Sequence, residues 1–285
     1  INDTYEPGSV FKIVTATAGL ELGKVKVTDH FSCPGFRIVE DRKIRCHKTT
    51  GHGAETFKEG VMNSCNPVFM EVGARVGVDG MYTIFRQMGL FEKTGIDIPG
   101  EANSIMHNKK NVGAVELATM SFGQSFQITP LQLMRAASAA VNGGTLVTPH
   151  FGMKAVDSSG KTVKTFEFAK KKNVIKKETS ETMRELLEAV VSEGSGRNCK
   201  IEGYSIGGKT ATSEKLPRGT GKYISSFLGF SKAEHPTVMA LVMIDEPKGT
   251  YYGGTIAAPV VREVFKVALP YLGISKDYTV DKTKK

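Results

Sequence analysis

The chain has 285 residues, of which 40% are apolar and 24% charged. That is long enough to bury a full core, and the composition excludes a disordered or fibrous protein. The net charge is +9, but the excess sits in the short runs Lys109-Lys110, Lys170-Lys171-Lys172, Lys176-Lys177 and Lys282-Thr283-Lys284-Lys285. These runs read as solvated loops; no stacking aromatics interleave them and no nucleic-acid motif is present, so nucleic acid is not an expected partner.

In chain order, Pro7-Gly8 sets a turn and Ser9 is suited to a helix N-terminus, which predicts a helix over 9–22 ended by Gly23. Residues 31–48 are predicted to form a β-hairpin turning at Glu40-Asp41. Helices follow over 55–76 and near 79–88, then a polar loop over 101–113. Two more helices, 114–120 and 130–142, flank the turn-like SFGQSFQITP. Short strands are expected at 145–149 and 151–156, then a charged insert and an amphipathic helix near 178–193. Three strands, 204–213, 223–232 and 236–246, precede a final helix over 257–271. Helices segregated around an antiparallel sheet give an α/β architecture of the α+β type. No apolar stretch approaches the roughly 20 residues that span a bilayer. Because the chain opens on Ile1, not Met, just before its first chemical motif, it reads as a fragment whose upstream sequence, where an anchor could lie, is missing.

Three short motifs fit one reaction. In Ser9-Val10-Phe11-Lys12 the serine and lysine stand i and i+3, on one helical face, so Lys12 can approach the Ser9 hydroxyl. A serine is a poor nucleophile until a base takes its proton, and a lysine can be that base if burial lowers its pKa. By itself the pattern is equally an N-cap serine beside a solvated lysine. In Ser64-Cys65-Asn66, Ser64 can shuttle a proton and Asn66 can hold a substrate carbonyl. The bland alternative is a polar helix terminus before Pro67. In Lys209-Thr210-Ala211-Thr212, the lysine and hydroxyls of a strand can bind a carboxylate, and an open strand edge can pair with an extended peptide. The Thr212 and Ser9 backbone N–H groups are candidates for an oxyanion hole. The order of the three, about fifty and then about 145 residues apart, is far more specific than any one of them.

Longer stretches carry a family resemblance. YEPGSVFK (5–12), GHGAETFKEGVMNSCNPVF (51–69), SFGQSFQITPLQL (121–133) and YISSFLGFSKAEHPTVMALVMIDEPKG (223–249) resemble class B penicillin-binding proteins, and the cysteines within 33–65 resemble the spore-cortex type of Gram-positive spore formers. The resemblance implies a penicillin-binding-protein/serine β-lactamase-like fold, an antiparallel sheet flanked by helices with an all-helical lobe. Residues 1–275 would be the transpeptidase domain, a fragment lacking the family's upstream strands and membrane anchor, and 276–285 a basic tail. It implies an enzyme that cross-links peptidoglycan at the outer face of the cell membrane and needs no cofactor for catalysis. Ser9 would form an acyl-enzyme with a D-Ala-D-Ala stem peptide and be trapped by β-lactams. Lys12, Ser64 and Asn66 would move protons and place the substrate, Lys209, Thr210 and Thr212 would bind it, and a membrane glycosyltransferase would be a partner. Two departures stand out: Ala211 where the family has Gly, expected to narrow the groove, and Ser125 where the family's GQG element ends in Gly. The rival readings are a serine β-lactamase, a carboxypeptidase and a catalytically silent β-lactam sensor or scaffold.

Cys33, Cys46, His47, His52 and Cys65 fall close together. Three readings stand: a Cys33–Cys46 disulfide across the hairpin, a structural zinc site from Cys33, Cys46, His52 and Cys65, or buried free thiols.

Overall fold

The computed structural model describes residues 1–231 and 234–277; the lysines at 282–285 and most of the expected basic tail lie outside the described residues. Helix α1 (Lys12–Glu21) is apolar on nearly all sides and therefore runs through the core rather than over it, with Ile13, Val14, Ala16 and Ala18 all buried. Its Thr17 hydroxyl satisfies itself by donating to the Ile13 carbonyl. The predicted hairpin over 31–48 resolves into two pairings. β1 (His30–Cys33) leaves the hairpin and pairs with β4 (Gly53–Thr56), while β2 (Phe36–Val39) and β3 (Arg42–Arg45) turn at Glu40-Asp41 as expected. Cys33 therefore lies opposite Gly53, not across a ladder from Cys46.

Thr56 caps α2 (Phe57–Met62) through a capping box with Glu59. A break at residues 63–65 then separates α2 from α3 (Asn66–Gln87), so the single helix expected over 55–76 is two. α3 absorbs the helix expected near 79–88 across a kink at Gly77, whose φ is +74°. α4 (Ala114–Met120) and α5 (Pro130–Val141) complete the helical lobe. The region after 145 carries four short strands, β5 (Leu146–Val147), β6 (Lys154–Val156), β7 (Thr162–Thr165) and β8 (Lys170–Lys171), paired β5–β8 and β6–β7. The charged insert is thus a largely exposed hairpin extension.

α6 (Lys177–Ser192) leads to the main sheet of β9 (Ile206–Glu214), β10 (Tyr223–Ser231) and β11 (Val238–Asp245), antiparallel in the order β11-β10-β9. α7 (Gly253–Ile256) and α8 (Ala258–Tyr271) close the described chain. Side chains of β10 alternate between two cores. Leu228 and Phe230 join the large core under α1, α3 and α5, while Phe227 packs with Val261 and Phe265 of α8 on the other face. Each such fully buried aromatic contributes about 1.5–3 kcal/mol. α6 covers β9, and β9 has a paired neighbour on one edge only. That open edge faces the region where the sequence motifs converge. No helix among the described residues is long and apolar enough to cross a membrane.

Candidate active site

The turn that carries Ser9 is tighter than the predicted helix start. Residues Gly8–Phe11 form a 3-10 turn and α1 begins only at Lys12, so Ser9 is not an N-cap. Gly8 holds φ +54°, a conformation costly for any residue with a Cβ, and its N–H donates to the Gly123 carbonyl at 2.8 Å. Gly123, at φ +85°, approaches so closely that a Cβ there would lie 2.1 Å from the Gly8 carbonyl oxygen. The loop 121–125 thus clamps the Ser9 turn from behind. Ser125 also adopts a left-handed backbone, φ +69°, which explains why the resembled family places Gly there.

Residues i and i+3 eclipse in a 3-10 turn, which keeps Ser9 and Lys12 on one side. Ser9 is half-buried and its Oγ makes no hydrogen bond to another described residue. Lys12 is 1% exposed, and its Nζ donates to the Ser64 carbonyl (2.6 Å), to Ser64 Oγ (3.2 Å) and to Asn66 Oδ1 (2.7 Å). Ser64 sits in the break between α2 and α3 with φ +54°, a left-handed serine of the strained kind found at functional sites. Asn66 opens α3 and is steadied by donating from Nδ2 to the Arg45 carbonyl.

Lys209, fully buried on β9, donates to the same Ser64 Oγ at 2.7 Å. Two lysines therefore converge on one hydroxyl, from motifs 52 and 145 residues away in sequence. Burial pushes Lys12 down to about 8, against the pull of the neighbouring thiols and Glu55. Burial, then repulsion from Lys12, holds Lys209 well below the ordinary lysine range. Both ammonium groups cannot stay charged on one serine in a dry site, so the pair carries a readily mobile proton.

Thr210 and Thr212 point to the opposite face of β9 from Lys209. The Thr210 hydroxyl lies 3.3 Å from Ser195 Oγ, and Thr212 Oγ1 accepts from the Gly253 N–H. Ser195 was not singled out from the sequence. It carries no motif and joins the site only because the turn after α6 folds under β9, where the Ser195 N–H donates to the Met62 carbonyl.

Ala211 does not narrow the groove. It is 3% exposed, and a Cβ built on Gly8 would stand 3.6 Å from its methyl. The methyl is buried against the Ser9 turn, on the face shared with Lys209 and Ser213. We therefore expect Ala211→Gly to change the rate of acylation by a penicillin less than about threefold and to cost about 1 kcal/mol of stability through the lost methyl and added chain entropy. Stopped-flow acylation and thermal melts check both; a tenfold faster acylation would restore the narrowing expected from the sequence.

Beside Ser64 lies the cysteine cluster. Ligand atoms of Cys33, Cys46, His52 and Cys65 all lie within 4.8 Å of one another. Cys46 Sγ is 3.8 Å from His52 Nδ1, and the three thiols are buried and form no disulfide. A tetrahedron with Zn–S bonds of about 2.3 Å has edges of roughly 3.8 Å. The donor set of three sulfurs and one imidazole is the one zinc favours. The hydrogen bond from Cys65 drives Cys46 toward thiolate, while that same contact and burial hold Cys65 as the thiol. Burial lowers the His52 pKa, keeping the imidazole neutral, and Glu55 approaches its Nδ1 at 3.9 Å. His47 lies on the outer side of Cys46, its Nδ1 3.8 Å from that sulfur. The four residues fit a metal ion.

The penicillin binding protein transpeptidase domain family model matches residues 1–266. Stage V sporulation protein D of Bacillus subtilis is 46% identical over 277 residues, covering 95% of this chain and 43% of that protein. The probable peptidoglycan D,D-transpeptidase PenA of Neisseria flavescens is 32% identical, over 96% of this chain and 66% of that protein. The chain thus spans between two fifths and two thirds of the length of these relatives. Penicillin binding protein 3 of Mycobacterium tuberculosis, solved in complex with aztreonam, superposes with a TM-score of 0.88 at 26% identity, over 98% of this chain and 65% of that one.

Proposed function

From the premise that the chain belongs to the penicillin binding protein transpeptidase domain family, we propose that it is a peptidoglycan D,D-transpeptidase acting through Ser9. The observation that carries the reading is the meeting of Lys12 and Lys209 on Ser64 Oγ beside the Ser9 turn. A stem peptide ending in D-Ala-D-Ala lies antiparallel along the open edge of β9, its terminal carboxylate at Lys209, Thr210 and Ser195. Lys12, kept largely deprotonable by burial, accepts the Ser9 proton as Oγ attacks the penultimate carbonyl. The Ser9 and Thr212 N–H groups stabilise the developing oxyanion. Ser64 relays the proton to the leaving amine, the C–N bond breaks and D-alanine departs. An amine from a neighbouring stem then attacks the ester, its proton returns through the same chain, and Ser9 is regenerated.

Residues 1–275 act as the transpeptidase domain in this reading, at the outer face of the cell membrane. The likeness to a stage V sporulation protein supports a role in spore-wall synthesis, with a membrane glycosyltransferase supplying the glycan strands. β-Lactams trap Ser9 as an ester, in keeping with the aztreonam and ampicillin complexes of the structural relative. The test is D-alanine release from a D-Ala-D-Ala peptide in the presence of an amine acceptor. Release by the parent and none by Ser9→Ala supports the reading; equal release by both refutes it.

A zinc ion held by Cys33, Cys46, His52 and Cys65 belongs to the same proposal. When bound it supplies a structural crosslink. Cys65 follows Ser64 directly, so the ligand set fixes the strained turn that presents Ser64 and Asn66 to Lys12. We expect about one zinc per purified chain by elemental analysis, and a melting temperature lowered by more than about 5 °C on chelation, since structural zinc contributes folding free energy outright. Metal-free protein with an unchanged melting temperature refutes the site.

A further inference from the structure

Ser64 is held in a left-handed turn, φ +54°, and its hydroxyl and carbonyl are committed to the two lysines. A serine keeps so strained a backbone only where its surroundings impose it. The turn therefore depends on what grips the residues on either side. Backbone bonds give part of that grip: the Ser64 N–H donates to the Val61 carbonyl at 3.2 Å and the Cys65 N–H to the Gly60 carbonyl at 2.9 Å. Neither bond engages the side chain of Asn63 or of Cys65.

Glu55 does engage them. It is the one buried residue of β4, 3% exposed and paired opposite Phe31. Its Oε2 accepts from Asn63 Nδ2 at 3.1 Å. Its Oε1 is buried without a hydrogen-bond partner, and His52 Nδ1, at 3.9 Å, lies beyond hydrogen-bond reach. On the far side of Ser64, Cys46, then burial, then Glu55 hold Cys65 in its thiol form. Glu55 thus bears on both neighbours of Ser64. Burying a carboxylate with so few hydrogen bonds costs free energy that an apolar side chain there would not. A residue serving stability alone would be apolar or fully bonded. We propose that Glu55 is a positioning residue for the transpeptidase reaction: through Asn63 it sets the turn that presents the Ser64 hydroxyl to Lys12 and Lys209. The inference rests on the transpeptidase reading above. The metal-ligand set holds the same turn from Cys65 and Glu55 holds it from Asn63, so the two anchors can be tested apart.

The experiment removes, keeps or reverses the Glu55–Asn63 hydrogen bond. Glu55→Ala and Asn63→Ala remove it. Glu55→Gln keeps an oxygen for Asn63, and Asn63→Asp sets two carboxylates against each other. Glu55→Gln combined with Asn63→Asp restores the bond with donor and acceptor exchanged. Acylation by benzylpenicillin is followed by intact mass over a range of antibiotic concentration, which separates the limiting rate from the half-saturating concentration. Zinc per chain is measured for every variant. Glu55→Ala, Asn63→Ala and Asn63→Asp should each lower the limiting rate about tenfold to a hundredfold, the scale of a misplaced reacting group, with the half-saturating concentration unchanged. Glu55→Gln should stay within about threefold of the parent, since it loses only the charge assistance of the bond. The exchanged pair should recover most of the rate lost in Asn63→Asp. Glu55→Ala added to Ser64→Ala should cost no further rate, because the group it positions is gone. A parental limiting rate in Asn63→Ala, an exchanged pair as slow as Asn63→Asp, or a Glu55→Ala defect that persists in the Ser64→Ala background or tracks lost zinc overturns the positioning role alone. Should Glu55→Ala fail to fold, the Asn63 variants and the exchanged pair decide by the same criteria. A folded parent that benzylpenicillin does not acylate overturns the positioning role and the transpeptidase reading together.

Discussion

Replacing Lys12 by Met is expected to lower the rate of Ser9 acylation by about 10³–10⁴, the upper range for loss of a positioned general base. The substitution keeps the length and apolar stem of the side chain in a site that is 1% exposed, so the loss reports chemistry more than packing. It also leaves the Ser64 carbonyl and Asn66 Oδ1, acceptors now at 2.6 and 2.7 Å, without their donor. Some destabilisation, about 1–3 kcal/mol, should accompany the rate loss for that reason. The pH dependence separates the two effects. Burial places Lys12 at about 8, so the neutral, proton-accepting form grows as pH rises through that value. Acylation by a penicillin should therefore rise through pH 8 in the parent, and the small residual rate of Lys12→Met should be flat there. The rise belongs to the Lys12–Lys209 pair rather than to one side chain, because both contact Ser64 Oγ. A parent profile that is flat from pH 6 to 9 would remove Lys12 from the base role.

The largest expected effect on stability comes from a glycine outside the three motifs. Gly123→Ala puts a methyl 2.1 Å from the Gly8 carbonyl oxygen at a backbone φ of +85°. The left-handed conformation alone costs about 1–2 kcal/mol, and overlap with backbone that cannot rotate away adds about 1–3 more. A total of about 2–5 kcal/mol is expected by chemical denaturation. Any variant that still folds must push the Gly8–Phe11 turn outward, and with it Ser9. Acylation should then fall more than tenfold even in the folded fraction. A Gly123→Ala protein with parental stability and parental acylation would show that the loop 121–125 does not clamp the nucleophile.

These two residues also mark what the sequence alone could and could not convey. The meeting of Lys12, Ser64, Asn66 and Lys209 was legible because the three motifs come in a recognisable order and spacing, and the structure gathers these side chains around one hydroxyl. The main sheet was legible too: strands expected at 204–213, 223–232 and 236–246 are β9, β10 and β11 with ends moved by at most two residues. Periodicity says nothing about which distant segments meet, and the misjudged elements are of that kind. β1 pairs with β4 instead of completing the hairpin, in keeping with the close approach of the two connecting segments at Gly35 and Gly51, each of which lies too near the other segment's backbone for a Cβ. Ser9 was expected to cap a helix because its type suits a cap, but Gly8 at φ +54° and its bond to Gly123 wind a 3-10 turn first. Ser195 and the Glu6–Arg218 pair, 212 residues apart, leave no local signature at all. The groove-narrowing expected of Ala211 failed because strand alternation points its methyl at the Gly8 turn.

The central claim is that Ser9 is the acylated nucleophile, and the most direct measurement is intact mass followed by peptide mapping after incubation with benzylpenicillin. The account predicts a single long-lived adduct of one antibiotic mass on the peptide containing Ser9, absent from Ser9→Ala. A folded protein with no adduct, an adduct that survives in Ser9→Ala, or one that hydrolyses within seconds as in a β-lactamase would contradict it.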